Sequence, residues 1–385
     1  MNYDFDRPID RHGTFSLKWD RYPADVLPLW VADMDFLSPE PVIRALHERI
    51  DHGVFGYGVA PSTLSEVVCD RLSQLYAWQV NPEDIVYLPG VVSGFNLTCH
   101  MLRDDQGEVL VQTPVYPPIL AAAANSGMCQ RSMEIHTRQS SPNVVDAGSF
   151  AAAINDRCRA FILCNPHNPL GYVFSRQELE GMAEACLRHN TVICSDEIHC
   201  DLVFDGARHL PIASLAPEIA QQTITLLAPS KTYNIAGLHC SLAIIQNEKL
   251  RRRFRAARAG LVPEVGVLGY AAALAGYSQG EEWLCQVMAY LQSNRDMLVD
   301  YVNNILSGVH VHSPQSTYLA WLDCRQAQLP DGPCRFFLDH ARVALNDGAA
   351  FGPGGEGFVR LNFGCPRAIL IEALDRMRRA LDERT

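Results

Sequence analysis

Apolar positions change their period along this chain, and the changes outline its organisation. Residues 39–50 (PEPVIRALHERI) repeat apolar side chains at helical spacing. Ser38 stands where a capping residue belongs, with prolines in the opening turn. A loop, GVFGYG (53–58), leads to a second helical stripe over 65–78 (SEVVCDRLSQLYAW). A strand-turn-helix pattern then recurs. DIVYLPG (84–90) precedes VSGFNLTCHML, EVLVQTP (108–114) precedes YPPILAAAANSG, and AFILCNP (160–166) precedes SRQELEGMAEACLRHN. TVICSDE (191–197) runs into a loop, and QTITLLAPS (222–230) and HCSLAIIQN (239–247) close the series. Short strands that are apolar without alternation bury both faces, so an α/β fold with a mostly parallel sheet between helices is predicted. Such sheets bind ligands beyond the carboxyl ends of their strands.

From about residue 265 long helical repeats take over (EEWLCQVMAYLQSNRDMLVDYVNNIL). Shorter strands follow, such as STYLAWLD and GFVRLNFG, and then a charged terminal helix. Three parts result: an N-terminal segment, 1–50, joining the small domain; a large domain over 51–265; and a smaller α+β domain over 266–385. A chain of 385 residues is long for one core, which agrees with two domains.

Composition narrows the partners. The formal charge of −11 speaks against nucleic acid, which requires clustered positive charge. The one basic run, LRRRFRAAR (250–258), alternates with apolar residues and reads as a solvated helix face. No apolar run approaches the length of a membrane span. The opening MNYDFDRPIDRHG is charged from its fourth residue, unlike a secretory or transit peptide. Thirteen cysteines are scattered without metal-ligand spacing, a pattern of reduced thiols and a cytoplasmic setting.

Polar residues at the predicted strand ends carry the candidate chemistry. Lys231 follows an apolar strand and a Pro-Ser turn, a setting that lowers the pKa of an amine nucleophile; alone, it also fits a surface lysine. Asp196 ends the strand TVICS, and a buried carboxylate needs a cationic partner, either a protonated pyridine nitrogen or an ion pair. Asn168, in CNPHNPLG, is by itself a turn asparagine. The glycines of PGVVSGF (89–95) separate a strand from a helix whose first amides can hold a phosphate, and Ser230 can add a hydroxyl. An amine, a carboxylate, an amide donor and a phosphate cradle together suit pyridoxal 5'-phosphate (PLP).

The motifs PGVVSG, PVYPP, CNPHNPLG, SDEIHCDLVF, SKTYNIAGL and FVRLNFG, in this order, resemble the fold-type I aminotransferase class I/II superfamily over nearly the whole chain. Intervals of 28 residues from Asn168 to Asp196 and 35 from Asp196 to Lys231 resemble it too. The resemblance implies a PLP-dependent fold with a seven-stranded, mostly parallel sheet. It implies Lys231 as the Schiff-base lysine and proton carrier, Asp196 against the pyridine nitrogen, and Asn168 on the phenolic oxygen. Tyr116 would stack on the ring, and Val91, Val92 and Ser230 would hold the phosphate. Arg360, with Ala32, would receive the substrate carboxylate, a task suited to a planar guanidinium. Tyr57 would reach the phosphate of a neighbouring subunit, implying a homodimer with composite sites.

Within the superfamily, LPLWVADMDF (27–36) resembles the C–S β-lyases of the MalY/PatB type, related to cystathionine β-lyase. His199, three residues after Asp196, resembles that branch, where many aminotransferases carry a tyrosine. His239 stands where aminotransferases commonly place a phosphate-binding arginine, which puts a strong salt bridge there in doubt. The expected reaction is β-elimination from L-cystathionine or a related cysteine S-conjugate, giving a thiol, pyruvate and ammonia. The alternatives are an aminotransferase of an aromatic or neutral amino acid, with Trp30, Phe36 and Tyr318 as pocket aromatics, or a lyase with an added transcription-regulatory role.

Overall fold

The computed structural model describes residues 2–135 and 146–384. Its irregular start holds a two-residue strand, β1 (Leu27–Pro28), and then helix α1 (Glu40–Asp51). Pro39 precedes the helix and no side chain caps it; the Ser38 hydroxyl instead donates to the Asn234 carbonyl at 3.0 Å. Pro41 in the first turn has no amide to satisfy, which lessens the need for the predicted cap.

Helix α2 (Ser62–Tyr76) leads into the alternating series. It runs β2 (Ile85–Leu88), α3 (Val91–Met101), β3 (Glu108–Thr113), α4 (Pro117–Ser126), β4 (Cys129–Glu134), α5 (Ala147–Ala153) and β5 (Cys158–Cys164). It continues with α6 (Arg176–Arg188), β6 (Val192–Asp196), α7 (Pro217–Ala220), β7 (Thr223–Leu227), α8 (Pro229–Thr232) and β8 (Ser241–Ile244). Seven strands pair in the order β2-β8-β7-β6-β5-β3-β4. Only β8 runs antiparallel to its neighbours, so the other six strands point their carboxyl ends to one edge.

β4 is the strand that the apolar pattern does not announce. Its sequence, CQRSME, is largely exposed at the sheet edge, where one partner suffices and polar side chains discourage further pairing. The inner strands are apolar on both faces for a visible reason. Val109, Val111, Ala160 and Ile162 pack with α3 residues such as Phe95, while Leu110, Phe161 and Leu163 pack with Phe150, Leu179 and Met182 of α5 and α6. Gly94 inside α3 belongs to this packing, since a Cβ there would meet Leu226 Cδ2 at 2.6 Å.

Helix α9 (Glu248–Arg258) carries the basic run and is not wholly solvated. Leu250 and Phe254 face the core, and Arg251 is buried with its Nη1 on Asp84 at 2.8 Å. Two further helices follow, α10 (Val267–Gln279) and α11 (Glu281–Ile305). Then come β9 (His310–Val311), β10 (Leu319–Asp323), α12 (Pro333–Phe336), β11 (Val343–Ala344), β12 (Asn346–Asp347), β13 (Phe358–Asn362) and α13 (Arg367–Asp382). An antiparallel sheet orders β12-β13-β10-β9, and β1 pairs in parallel with β11. Phe5, Leu29, Met34, Phe36 and Val42 from the start of the chain share one core with α11, β10, β13 and α13. Phe36 is a core residue, edge-on to Phe5 at 5.1 Å. Among the described residues no helix is long and apolar enough to cross a membrane, and no cluster of side chains is arranged for a metal ion.

Candidate active site

The polar residues of interest collect where β2, β3, β5, β6 and β7 end. Asp196 closes β6, 3% exposed, with the Ile198 amide donating to its Oδ1 at 3.2 Å. Burial pushes its carboxyl up to about 7; the Ile198 N–H and Lys231 oppose that rise and Glu197 adds to it. Lys231 lies on α8, directly after β7. Burial pulls its ammonium down to about 8, against the attraction of Asp33 and Asp196 and with help from Arg360. Its Nζ donates to the Ala32 carbonyl at 2.5 Å, and Tyr318 Oη donates to the same oxygen at 2.9 Å.

Arg360 comes from the middle of β13, 4% exposed. Its Nη1 donates to Asn168 Oδ1 at 2.9 Å, and its Nη2 donates to the Trp30 carbonyl at 2.9 Å and to Asn346 Oδ1 at 2.5 Å. The guanidinium lies 5.1 Å from the Phe351 ring centroid. Its Nε has no partner among the described residues, and burial lowers its pKa to about 10. Neutral oxygens hold this cation in place without cancelling its charge.

His199 is 2% exposed and edge-on to Tyr318, with ring centroids 6.4 Å apart. Burial, aided by the Lys231 and Arg360 cations, pulls its pKa down to about 3, so the imidazole is neutral. Tyr116, half-buried before α4, donates its amide to the Asn168 carbonyl at 3.1 Å. Burial raises its phenol pKa, and the Asp196 charge adds to the rise. The amides of Val91 and Val92 open α3, where helix geometry leaves them without intrahelical acceptors. A Cβ on Gly90, just before them, would meet no protein atom within 4 Å, so this helix end is open to a ligand. Ser230 is half-buried beside Lys231.

Lys231, Ala32, Asp196, His199, Asn168, Tyr116 and Arg360 are thus linked by hydrogen bonds, ring contacts or mutual electrostatics. Tyr57 is not brought to them within one chain; it is fully exposed, at 112%. His239 is exposed too, in the left-handed conformation (φ 51°), closing the short turn Ala236–Leu238. Sequence reasoning did not single out Asn362 or Asn234. Asn362 Nδ2 donates to the carbonyls of Val31 and Asp33 at 2.6 and 2.7 Å. Asn234 accepts from the Met34 amide at 3.0 Å and donates to the Met34 and Phe36 carbonyls. Both lie in motifs already in view: Asn362 is two residues past Arg360, the spacing that returns a strand to the same face.

Where these groups meet defines a class. A buried carboxylate with no direct ion pair among the described residues, a lysine with a lowered pKa and an open helix N-terminus match the pyridinium, aldehyde and phosphate of PLP, so the residues present fit that cofactor. The chain belongs to the aminotransferase class I and II family, whose model matches residues 24–377. It is 38% identical to cystathionine beta-lyase PatB of Bacillus subtilis (strain 168), over 98% of this chain and 100% of that protein. The structure of OvoB superposes with a TM-score of 0.94 at 43% identity, covering 98% of this chain and 99% of that one. Cystalysin from Treponema denticola, in a structure that contains a pyridoxal 5'-phosphate cofactor, gives a TM-score of 0.95 at 29% identity with both chains fully covered.

Proposed function

We propose that this chain is a PLP-dependent carbon–sulfur lyase that cleaves the β C–S bond of L-cystathionine or a related cysteine S-conjugate, releasing a thiol, pyruvate and ammonia. The full-length likeness to PatB carries the choice of reaction. Asp196 and Arg360, buried without an ion-pair partner within 4 Å among the described residues, support the cofactor and the amino-acid substrate. When bound, PLP supplies an electron sink conjugated to the substrate's α-carbon.

The protein's share of the work follows from its geometry. Arg360 binds the α-carboxylate of the substrate, which provides the countercharge its neutral partners do not. Lys231, released as a free amine, takes the α-proton; a pKa near 8 keeps a useful neutral fraction at physiological pH. The Ala32 carbonyl accepts from Lys231 Nζ and so fixes where the amine rests. Asp196 keeps the cofactor's ring nitrogen protonated. Asn168 and the neutral His199 would hold the cofactor's phenolic oxygen, and Tyr116 would pack on its ring. The amides of Val91 and Val92, with Ser230, bind the phosphate.

The assembly is a homodimer in which Tyr57 of the partner subunit completes the phosphate site. The exposed apolar stretch Val54, Phe55, Tyr57 and Val59, at 62%, 57%, 112% and 87%, supports a covered surface there. In this reading the large domain, 51–265, holds the cofactor, and the small domain, 266–385 with the first 50 residues, brings Arg360 to it. Thirteen free thiols suit a cytoplasmic location.

Incubating the pure protein with L-cystathionine and PLP, and assaying pyruvate and thiol, tests the reaction. Both products form without an added keto acid if the reading is right. A strict keto-acid requirement with no thiol would leave an aminotransferase instead.

A further inference from the structure

The N-terminal segment contains a second set of buried charges. Lys18 is 0% exposed, a rare state for a lysine. Its Nζ lies 2.7 Å from Asp35 Oδ2 and 3.7 Å from Asp33 Oδ1, and it donates to the Asp33 carbonyl at 3.3 Å. Arg11 bridges the same two carboxylates, at 2.6 Å to Asp35 and 2.8 Å to Asp33. Trp19 Nε1 donates to Asp35 Oδ1 at 2.8 Å. With Asn362 and Asn234 on its other sides, the loop 31–36 is fastened from three directions.

That loop bears directly on the reactive amine. The Ala32 carbonyl contacts Lys231, and the next residue, Asp33, is the foremost charge acting on it. An unrestrained carboxylate beside Lys231 would stabilise its ammonium form and withhold the neutral amine. Arg11 and Lys18 pair with the Asp33 carboxylate at 2.8 and 3.7 Å, so their positive charges oppose the attraction that Asp33 exerts on Lys231.

We propose that Arg11, braced by the buried Lys18–Asp35 pair, is a positioning residue for Lys231: it restrains and neutralises Asp33 so that the lysine remains available as a free amine. This inference rests on Lys231 being the residue that captures PLP. The other groups facing Lys231 are Asp196 at the end of β6, Arg360 on β13, His199 and Tyr318; Asp33 also faces Tyr318. None of them is altered in the test.

The measurement is the rate at which full-length, PLP-stripped protein captures PLP covalently, followed by visible absorbance from pH 6 to pH 10. Borohydride trapping and peptide mass identify the lysine. Arg11→Met moves the midpoint of the pH profile up by about one unit, which makes capture at pH 7 about tenfold slower. Asp33→Asn moves the midpoint down, and the double variant returns it close to that of the native chain. A purely structural role would slow capture or reduce its extent without moving the midpoint. Unmoved midpoints, or shifts in the same direction for both single variants, would therefore overturn the proposal. If Arg11→Met does not fold, Arg11→Lys and Asp33→Asn decide: the first must keep the native midpoint and the second must lower it. A native chain that captures no PLP at Lys231 would overturn the proposed function instead.

Discussion

The strand-end site and the N-terminal cluster meet at consecutive residues, Ala32 and Asp33, and they treat buried charge in opposite ways. In the N-terminal cluster two cations, Arg11 and Lys18, face two carboxylates, Asp33 and Asp35. In the other site Asp196, at the end of β6, and Arg360, in the middle of β13, are buried, yet their hydrogen-bond partners among the described residues are an amide, a carbonyl and side-chain amide oxygens. Burying a charge without a counter-ion is costly, and the cost falls when a ligand provides the opposite charge. The paired cluster therefore balances its charges without a ligand, whereas the unpaired residues are suited to a cationic ring nitrogen and an anionic carboxylate that arrive from outside.

The largest test of that contrast is Lys231→Ala. Lyase activity falls by at least about 10³-fold, since both covalent capture and proton transfer lose their amine. Pyruvate release and the visible absorbance band measure this, and a variant that kept the band would remove the lysine from its assigned role.

A second test exchanges stability against activity. Lys18→Met destabilises the PLP-free chain by about 3 kcal/mol, because it withdraws a cation from buried Asp35. Arg360→Lys costs much less stability but lowers kcat/KM about 100-fold, since an ammonium cannot form the planar two-point contact with a carboxylate. Urea midpoints and steady-state kinetics on both variants give the comparison, and similar stability losses in the two would erase the distinction between the clusters.

Smaller, and dependent on pH, is the effect of Asp196→Asn. A carboxyl raised to about 7 in the folded chain, from an ordinary value near 4, stabilises the fold while protonated and loses that contribution as pH rises through 7. Relative to the native PLP-free chain, the asparagine variant therefore gains on the order of 2 kcal/mol between about pH 5 and pH 7. His199 and His167, both lowered to about 3 by burial, act in the opposite direction over part of that range, so only the difference between the two proteins isolates Asp196. With saturating PLP the ordering reverses, because the native carboxylate then has its cation. Thermal melts at each pH, with and without PLP, read both signs.

These two regions also differ in how far they could be read from sequence. Asp196, Lys231 and Asn168 were legible because each interrupts or follows an apolar run, and a polar residue at the end of a buried strand is conspicuous. Arg360 was legible through the motif FVRLNFG, although nothing in that stretch reveals that its partners are Trp30, Asn168 and Asn346. The N-terminal cluster was not legible. Arg11, Lys18, Asp33 and Asp35 lie in an irregular segment with no period to assign their faces, and their pairing depends on how that segment folds over the small sheet. The same limit hid β4, whose polar composition is ordinary for an edge and misleading for a strand.

The smallest expected effect concerns His239, and it asks whether the cofactor side is short of positive charge. His239 is exposed, so replacing it with arginine adds a solvated cation that costs little desolvation and gains at most about 1 kcal/mol from a nearby phosphate. PLP retention in His239→Arg therefore tightens by no more than about fivefold, as measured by competition or by dialysis against a carbonyl reagent. Salt limits the gain further, because it screens an exposed pair. A gain that disappears at high salt while pyruvate release stays constant would mark a phosphate contact made outside the buried site. A change in the ratio of pyruvate to transamination product would instead connect this position to the choice of reaction.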